Sequence, residues 1–338
     1  MRVLVTGGAG YIGSHTAKML VRAGFEPVVF DNFSAGHRWA VKWGPLVESD
    51  LSDHGAIRHA IRRYGIVAAI HFAAHAYVEE SVREPRKYFQ NNITNTLNLI
   101  DALLDTGVEH IVFSSSCAVY GMPESLPISE DHPKLPVNPY GESKLFIERA
   151  LDWYGRAYDL RWAVLRYFNA AGADPEGELG EVHNPETHLL PIVMEAAAGK
   201  RDAIEIYGVD YPTPDGTCVR DYIHVSDLAE AHVLALQRLL SGAGSFAINL
   251  GTGRGVSVRE IVGAVERIVG AAIDVRLAPR RPGDPAVLVA DPSRAAKLLN
   301  WCPKLSALEN IIGSAWNWHS RTVPSDAPQQ PPFLPAIG

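Results

Sequence analysis

From Arg2 to about Tyr167, short runs of aliphatic and β-branched residues alternate with longer stretches in which apolar positions recur every three or four residues. The short runs are Arg2 to Thr6, Pro27 to Asp31, Leu46 to Asp50, Val67 to Phe72, His110 to Ser115 and Trp162 to Tyr167. Each is apolar enough to be covered on both faces, as in parallel strands joined by helical crossovers. The stretches Ser52 to Arg63 and Pro85 to Leu104 carry helical spacing, with Pro85 suited to a first turn. This pattern predicts an α/β fold built on a doubly wound parallel sheet over residues 1–169. After Asn169 comes a Gly-, Pro- and acid-rich stretch to Pro185, then a helix from Leu189 to Gly199 and short strands up to Arg220. A second, smaller C-terminal α/β domain is expected over 170–320. The helix Ser226 to Leu240 and the strand Phe246 to Leu250 are expected to return to the first sheet, so that about 217–251 rejoins the first domain. The stretch 321–338, with Pro324, Pro328, Pro331, Pro332 and Pro335, reads as an extended or disordered tail.

Composition narrows this picture. The chain has 338 residues, 47% hydrophobic and 20% charged, which is ordinary globular usage and enough for one large or two joined domains. Lys plus Arg total 31 against 38 Asp plus Glu, a net charge of -7, so no basic field exists to hold a nucleic-acid backbone. Cys117, Cys218 and Cys302 lack metal-type spacing and read as free thiols of a reducing compartment. No run of about 18 uncharged apolar residues occurs. The expectation is a cytoplasmic protein with neither a nucleic-acid nor a membrane partner.

Candidate chemistry begins at Thr6-Gly7-Gly8-Ala9-Gly10-Tyr11-Ile12-Gly13, which follows the first strand and opens a helix. Missing side chains let the backbone turn tightly and approach a pyrophosphate, while the helix N-terminus offers free N–H groups and positive partial charge. Asp31 ends the second strand eighteen residues past Gly13, where an acid accepts hydrogen bonds from an adenosine ribose and repels a 2'-phosphate. The cofactor expected is therefore NAD, with Asp50 as an adenine contact.

Farther along, Tyr140 and Lys144 in Pro139-Tyr140-Gly141-Glu142-Ser143-Lys144 are four residues apart on a predicted helix and share a face. A tyrosine titrating near about 10 needs a shift of roughly 3 units, about 4 kcal/mol, to act as a base near neutrality. An ammonium and a positive nicotinamide ring would favour that shift. A hydroxyl from Ser114-Ser115-Ser116 at the end of the fifth strand could share the proton.

Together with His71-Phe72-Ala73-Ala74, Gln90-Asn91-Asn92, Leu165-Arg166-Tyr167-Phe168-Asn169, Val219-Arg220-Asp221-Tyr222 and Arg280-Arg281-Pro282-Gly283-Asp284, these motifs carry a resemblance. The chain resembles the UDP-glucose 4-epimerase family of the extended short-chain dehydrogenase/reductase superfamily over about residues 2–321. The resemblance implies a Rossmann fold of that type and a smaller substrate domain for a UDP-sugar. It implies that Tyr140 takes the proton of the sugar 4-hydroxyl as hydride passes from C4 to a retained NAD. Ser116 would orient that hydroxyl, and Lys144 would hold the nicotinamide ribose. NAD contacts are implied for Gly7, Gly10, Tyr11, Ile12, Gly13, Asp31, Asn32, Asp50, Leu51, Phe72, Ala73, Asn91, Ser114, Tyr140, Lys144 and Phe168. Contacts to UDP and sugar are implied for Ser116, Tyr140, Asn169, His188, Leu189, Tyr207, Arg220, Tyr222, Arg281, Asp284 and Leu288. Paired relatives imply a homodimer through helices near Pro85 to Leu104 and Tyr140 to Trp153. UDP-xylose/UDP-arabinose 4-epimerases share these motifs, and a non-catalytic NAD sensor would need no Tyr140, Lys144 and Ser116 together.

Ala118 stands where many relatives have threonine, and His188 where others have asparagine. His183 and His188 with Glu181 and Glu186 fit no helical zinc motif, so no metal is expected. Cys117 is expected to pack rather than react. Trp301, Trp316 and Trp318 are expected to form a core or dimer cluster, and Leu288 to gate the sugar 2-substituent.

Overall fold

The computed structural model describes residues 1–281 and 283–321. Pro282 and 322–338, and with them most of the expected Pro-rich tail, lie outside the described residues. The first half builds β1 (Arg2–Thr6), α1 (Tyr11–Arg22), β2 (Glu26–Asp31), β3 (Leu46–Glu48), α2 (His54–Tyr64) and β4 (Ile66–His71). There follow α3 (Val78–Arg83), α4 (Pro85–Tyr88), α5 (Asn95–Asp105), β5 (His110–Ser116), α6 (Pro139–Tyr158) and β6 (Arg161–Tyr167). The six predicted strands are all present within a residue or two. A doubly wound sheet results because each buried strand must be covered on both faces: Val3, Leu4, Val5, Ala69, Ile70, Ile111 and Val112 are wholly enclosed.

Two expectations need correction. The third strand is short and half-exposed, because it lies at the sheet edge beside β2, so Asp50 sits in the turn beyond it. The stretch Pro85 to Leu104 is broken: α4 gives way to a wider π-type turn over Phe89–Thr94 before α5 begins. Within that turn the Asn92 side-chain amide accepts from His75 N and donates to His75 O, both at 2.9 Å, bonds that fix the loop after β4. Such turns are frequent at functional sites.

The second half adds β7 (Asn169–Ala171), α7 (Leu189–Ala197), β8 (Ile204–Tyr207), β9 (Val219–Arg220), β10 (Tyr222–His224), α8 (Val225–Leu240) and β11 (Phe246–Leu250). It ends with β12 (Val256–Ser257), α9 (Val258–Val269), β13 (Val275–Ala278), β14 (Val287–Leu288), α10 (Ser293–Leu299) and α11 (Leu308–His319). As expected, β11 returns to the main sheet, parallel to β6, and completes the order β11-β6-β5-β4-β1-β2-β3. Its two apolar faces are covered by α1, α8 and α10 on one side and by α2, α5 and α6 on the other. A third core, built by α7, α9 and α11, belongs to the smaller lobe. The three tryptophans pack in the interior at separate places: Trp301 joins the core under α8 and α10, Trp316 lies against the core of α7, α9 and α11, and buried Trp318 packs on Trp39 with ring centroids 5.3 Å apart.

The two lobes are clamped by charge. Lys18 of α1, nearly buried, meets Asp174 at 2.7 Å, Glu176 at 2.8 Å and Glu178 at 2.6 Å. These bonds hold the acid-rich stretch after β7 against the helix that opens at the glycine loop.

Candidate active site

The glycine loop is shaped by what its residues lack. A Cβ on Gly7 would stand 2.6 Å from Ala73 N, and one on Gly13 would stand 2.2 Å from Gly7 O. Gly7 also takes φ of 69°, which glycine alone adopts without penalty. Gly10 caps α1 with no side-chain hydrogen bond, and no acid lies in the first turn. The N–H groups of Tyr11, Ile12 and Gly13 therefore lack intrahelical acceptors, as at any helix start. Val182 crosses beside this loop, where His37 Nε2 lies 3.1 Å from its carbonyl, and Tyr11 donates its hydroxyl to Gly172 O at 2.6 Å.

At the end of β2, Asp31 accepts from Ala9 N and from Phe33 N, each at 2.9 Å, one on each oxygen. A carboxylate retains further lone pairs for ribose hydroxyls. Burial pushes its pKa up, against those backbone bonds. Arg38 pairs with Glu48 and covers Phe33, its guanidinium 4.4 Å from the ring centroid. Asn32 donates to Asp50, whose other oxygen accepts from Ser52 N at 2.8 Å. Burial works upward on Asp50, but these bonds prevail and hold it below the usual carboxylate range. Leu51 packs into the sheet core, Phe72 and Ala73 follow β4, and Asn91 donates to Asn92 at 3.0 Å. The residues present fit a dinucleotide: Cβ-free approach, an uncapped helix start and an acid at the ribose position.

Tyr140 and Lys144 lie one turn apart on α6, with Lys144 Nζ 5.8 Å from the phenol ring centroid. Ser116, at the tip of β5, acts on the phenol against the effect of burial, and Lys144 donates to Ser114 O at 2.9 Å. Ser114 shares a 2.7 Å hydrogen bond with the Tyr167 hydroxyl. Among the chain's own groups, burial has the largest effect on both side chains. Burial drives the Tyr140 pKa well above its ordinary value, with Tyr167 adding to it and Ser116 opposing. Burial also draws Lys144 down to about 7, with Glu148 opposing. The lowering expected for Tyr140 rests on the positive nicotinamide ring as well as on Lys144.

Several of the expected sugar-nucleotide residues meet in pairs from distant sequence. Arg220 on β9 pairs with Asp284 at 2.5 Å, although 64 positions separate them. The Arg281 guanidinium lies 4.0 Å from the Tyr207 ring centroid at the end of β8. Arg280 is engaged elsewhere, by Asp210 at 2.6 Å and over Tyr211. Asn169 opens β7 opposite Tyr222 on β10, and His188 caps α7 ahead of Leu189. Leu288 pairs with Arg220 in register and packs on the core that includes Cys117 and Phe168. Cys117 is buried, and burial lifts its thiol to about 11, in keeping with a packing role.

Sequence reasoning missed His71 and Tyr77 as parts of the site. His71 bridges Thr6 at 2.6 Å and Thr96 at 2.8 Å. Because the Thr96 hydroxyl donates to Asn92 O, the ring must donate to it from Nε2 and accept at Nδ1. The His71-Phe72-Ala73-Ala74 motif marked the position but not this role. Tyr77 flanks His183 and His188, with centroids 6.0 Å and 6.1 Å away, and nothing in its local sequence marks it.

Comparison with known proteins agrees with this geometry. The model of the NAD dependent epimerase/dehydratase family matches residues 3–251. A UDP-glucose 4-epimerase of Rhizobium leguminosarum bv. trifolii is 49% identical over 320 residues, covering 95% of this chain and 98% of the relative. The crystal structure of UDP-glucose 4-epimerase from Brucella ovis in complex with NAD is 54% identical, with TM-score 0.91, covering 93% of this chain and 97% of that one. A Stenotrophomonas maltophila UDP-glucose 4-epimerase with bound NAD and formylated UDP-arabinopyranose is 40% identical, with TM-score 0.92 and coverage of 95% and 98%. A family match across most of the chain, joined to relatives that share half its residues over nearly their whole length, places the chain in the NAD dependent epimerase/dehydratase family.

Proposed function

We propose that the chain interconverts UDP-glucose and UDP-galactose through a transient 4-keto sugar, with NAD retained. The observation that carries this reading is the meeting of Tyr140, Ser116 and Lys144 at the tip of β5, beside a glycine loop suited to NAD. Bound NAD would supply the acceptor and donor of the C4 hydride. Tyr140, as phenolate, receives the proton of the 4-hydroxyl at its phenol oxygen and, once the keto sugar has turned its other face toward the returning hydride, gives that proton back to the 4-oxygen. Ser116, at the tip of β5 beside Tyr140, orients the hydroxyl. Lys144, anchored on Ser114 O, holds the nicotinamide ribose and offers the nearest cation to the phenolate. Arg220 and Arg281 grip the diphosphate with planar forks, while Asn169, His188, Leu189, Tyr207, Tyr222, Asp284 and Leu288 shape the remainder of the sugar-nucleotide site. Cys117 and Ala118 follow Ser116 where a dehydratase would need an acid, and the Cys117 thiol stays protonated. Residues 1–169 form the NAD-binding unit, to whose sheet about 217–251 returns, and 170–320 supply most of the sugar-nucleotide contacts.

Two further readings accompany this one. A homodimer would form through α3 to α6, whose outer faces expose Val82, Phe89, Phe146 and Trp153. A monomer mass by light scattering at micromolar concentration would contradict it. A cytoplasmic location is supported by three free cysteines; among the described residues no helix is long and apolar enough to cross a membrane.

The test is incubation with UDP-galactose and no added NAD. UDP-glucose should accumulate to equilibrium without net NADH. UDP-arabinose or UDP-xylose turning over while the hexoses stay inert would shift the substrate to the pentose pair, of which the Stenotrophomonas complex is a reminder.

A further inference from the structure

Beside the glycine loop, the segment 181–188 folds two histidines and two glutamates onto one another. His188 Nδ1 lies 2.9 Å from Glu181 Oε1 and 3.2 Å from Glu186 Oε1. His183 Nδ1 lies 3.4 Å from the same Glu181 oxygen and 3.3 Å from Glu186 Oε2. One donor atom from each residue falls within 4.8 Å of all the others. Both carboxylates are buried, with side-chain exposures of 5% and 6%.

We propose that Glu181, His183, Glu186 and His188 form a binding site for a divalent cation of the zinc class. Four tetrahedral ligands at about 2.0–2.1 Å from zinc stand about 3.3 Å apart, and the four histidine-to-carboxylate separations, taken over both Glu186 oxygens, run from 2.9 to 3.4 Å. Two carboxylates balance a dication that displaces the protons by which the two imidazoles are held to them, and nitrogen with oxygen donors suit zinc or cobalt. The ligands are supported from behind: Glu186 Oε1 accepts from Thr187 N at 2.8 Å and from His188 N at 2.9 Å. Tyr77 walls both rings on one side. The other carboxylate cluster, Asp174, Glu176 and Glu178, differs because the Lys18 ammonium already occupies its centre. An ion at the histidine cluster ties together the segment that passes beside the glycine loop and leads into α7.

The site does not depend on the epimerase reading, and its test uses no sugar nucleotide. The full chain with its bound nucleotide is stripped of metal with a chelator, dialysed, and titrated with Zn2+ by calorimetry and with Co2+ by visible absorption. One ion per chain and cobalt bands of tetrahedral intensity are expected. His183→Ala and Glu186→Gln should each weaken binding at least about tenfold, whereas Cys302→Ser, which removes an exposed thiol, should leave it unchanged. X-ray absorption at the zinc edge of the unaltered chain should show nitrogen and oxygen ligands only, independently of whether a variant folds. No saturable binding, sulfur ligation, or undiminished affinity in both variants would overturn the site.

Discussion

Lys144 donates its ammonium to the backbone carbonyl of Ser114 at 2.9 Å, and that bond sets α6 against the end of β5. Tyr140, one turn earlier on the helix, thereby meets Ser116, two residues farther along the strand. Tyr140→Phe leaves the Lys144 anchor intact. Fold and bound NAD should persist while turnover falls at least about a hundredfold, the scale of general acid/base catalysis. Steady-state assay with the nucleotide content of the purified variant checks both halves of this prediction.

Gly13→Ala should act at the other end of the site. The added methyl would press on the Gly7 carbonyl at 2.2 Å, so the loop must shift and its approach to a pyrophosphate is lost. The variant is expected to purify with far less NAD than the parent. Nucleotide released on denaturation measures this, and a parental content would sink the assignment of the loop.

Much of this was legible in the chain because its signals are local. Alternating apolar runs marked the strands, and a strand-glycine-helix order marked the nucleotide site. The break in Pro85–Leu104 was not legible, since its helical spacing continues through Gln90-Asn91-Asn92 and only the tertiary bonds of Asn92 to His75 reveal the wider turn. Likewise the histidine-glutamate cluster uses loop residues whose spacing matches no helical motif. The burial of Tyr140 and Lys144 depends on the packed lobes, so the direction of their shifts could not be read from spacing.

Acid should destabilise the fold through its buried histidines. Burial lowers His71 to about 3, with Lys144 adding to the effect, and burial lowers His15 and His232 to about 4. In the unfolded chain these rings titrate near about 6.5. Between those values the unfolded state binds more protons, so stability falls as pH drops below about 6.5 toward the folded values. The thermal midpoint should decline over that window, and His232→Gln should decline less steeply relative to its own neutral-pH value. An identical slope would contradict the contribution of His232.

Leu288 offers a test of sugar choice. It packs beside Cys117 and Phe168 and stands in register with Arg220. UDP-glucose and UDP-galactose should be preferred over their N-acetylhexosamine counterparts. Leu288→Tyr should sharpen that preference and Leu288→Ser relax it, as ratios of kcat/KM. Equal ratios in all three proteins would assign Leu288 to packing alone.

The central claim is that one hydride leaves C4 and returns to it within a single retained complex. UDP-galactose carrying deuterium at C4, given to the purified protein without added nucleotide, tests this directly by NMR and mass of the product. The account predicts UDP-glucose with the deuterium still at C4 and no solvent proton there. Product with the label washed out, or accumulation of NADH in proportion to sugar consumed, would contradict it.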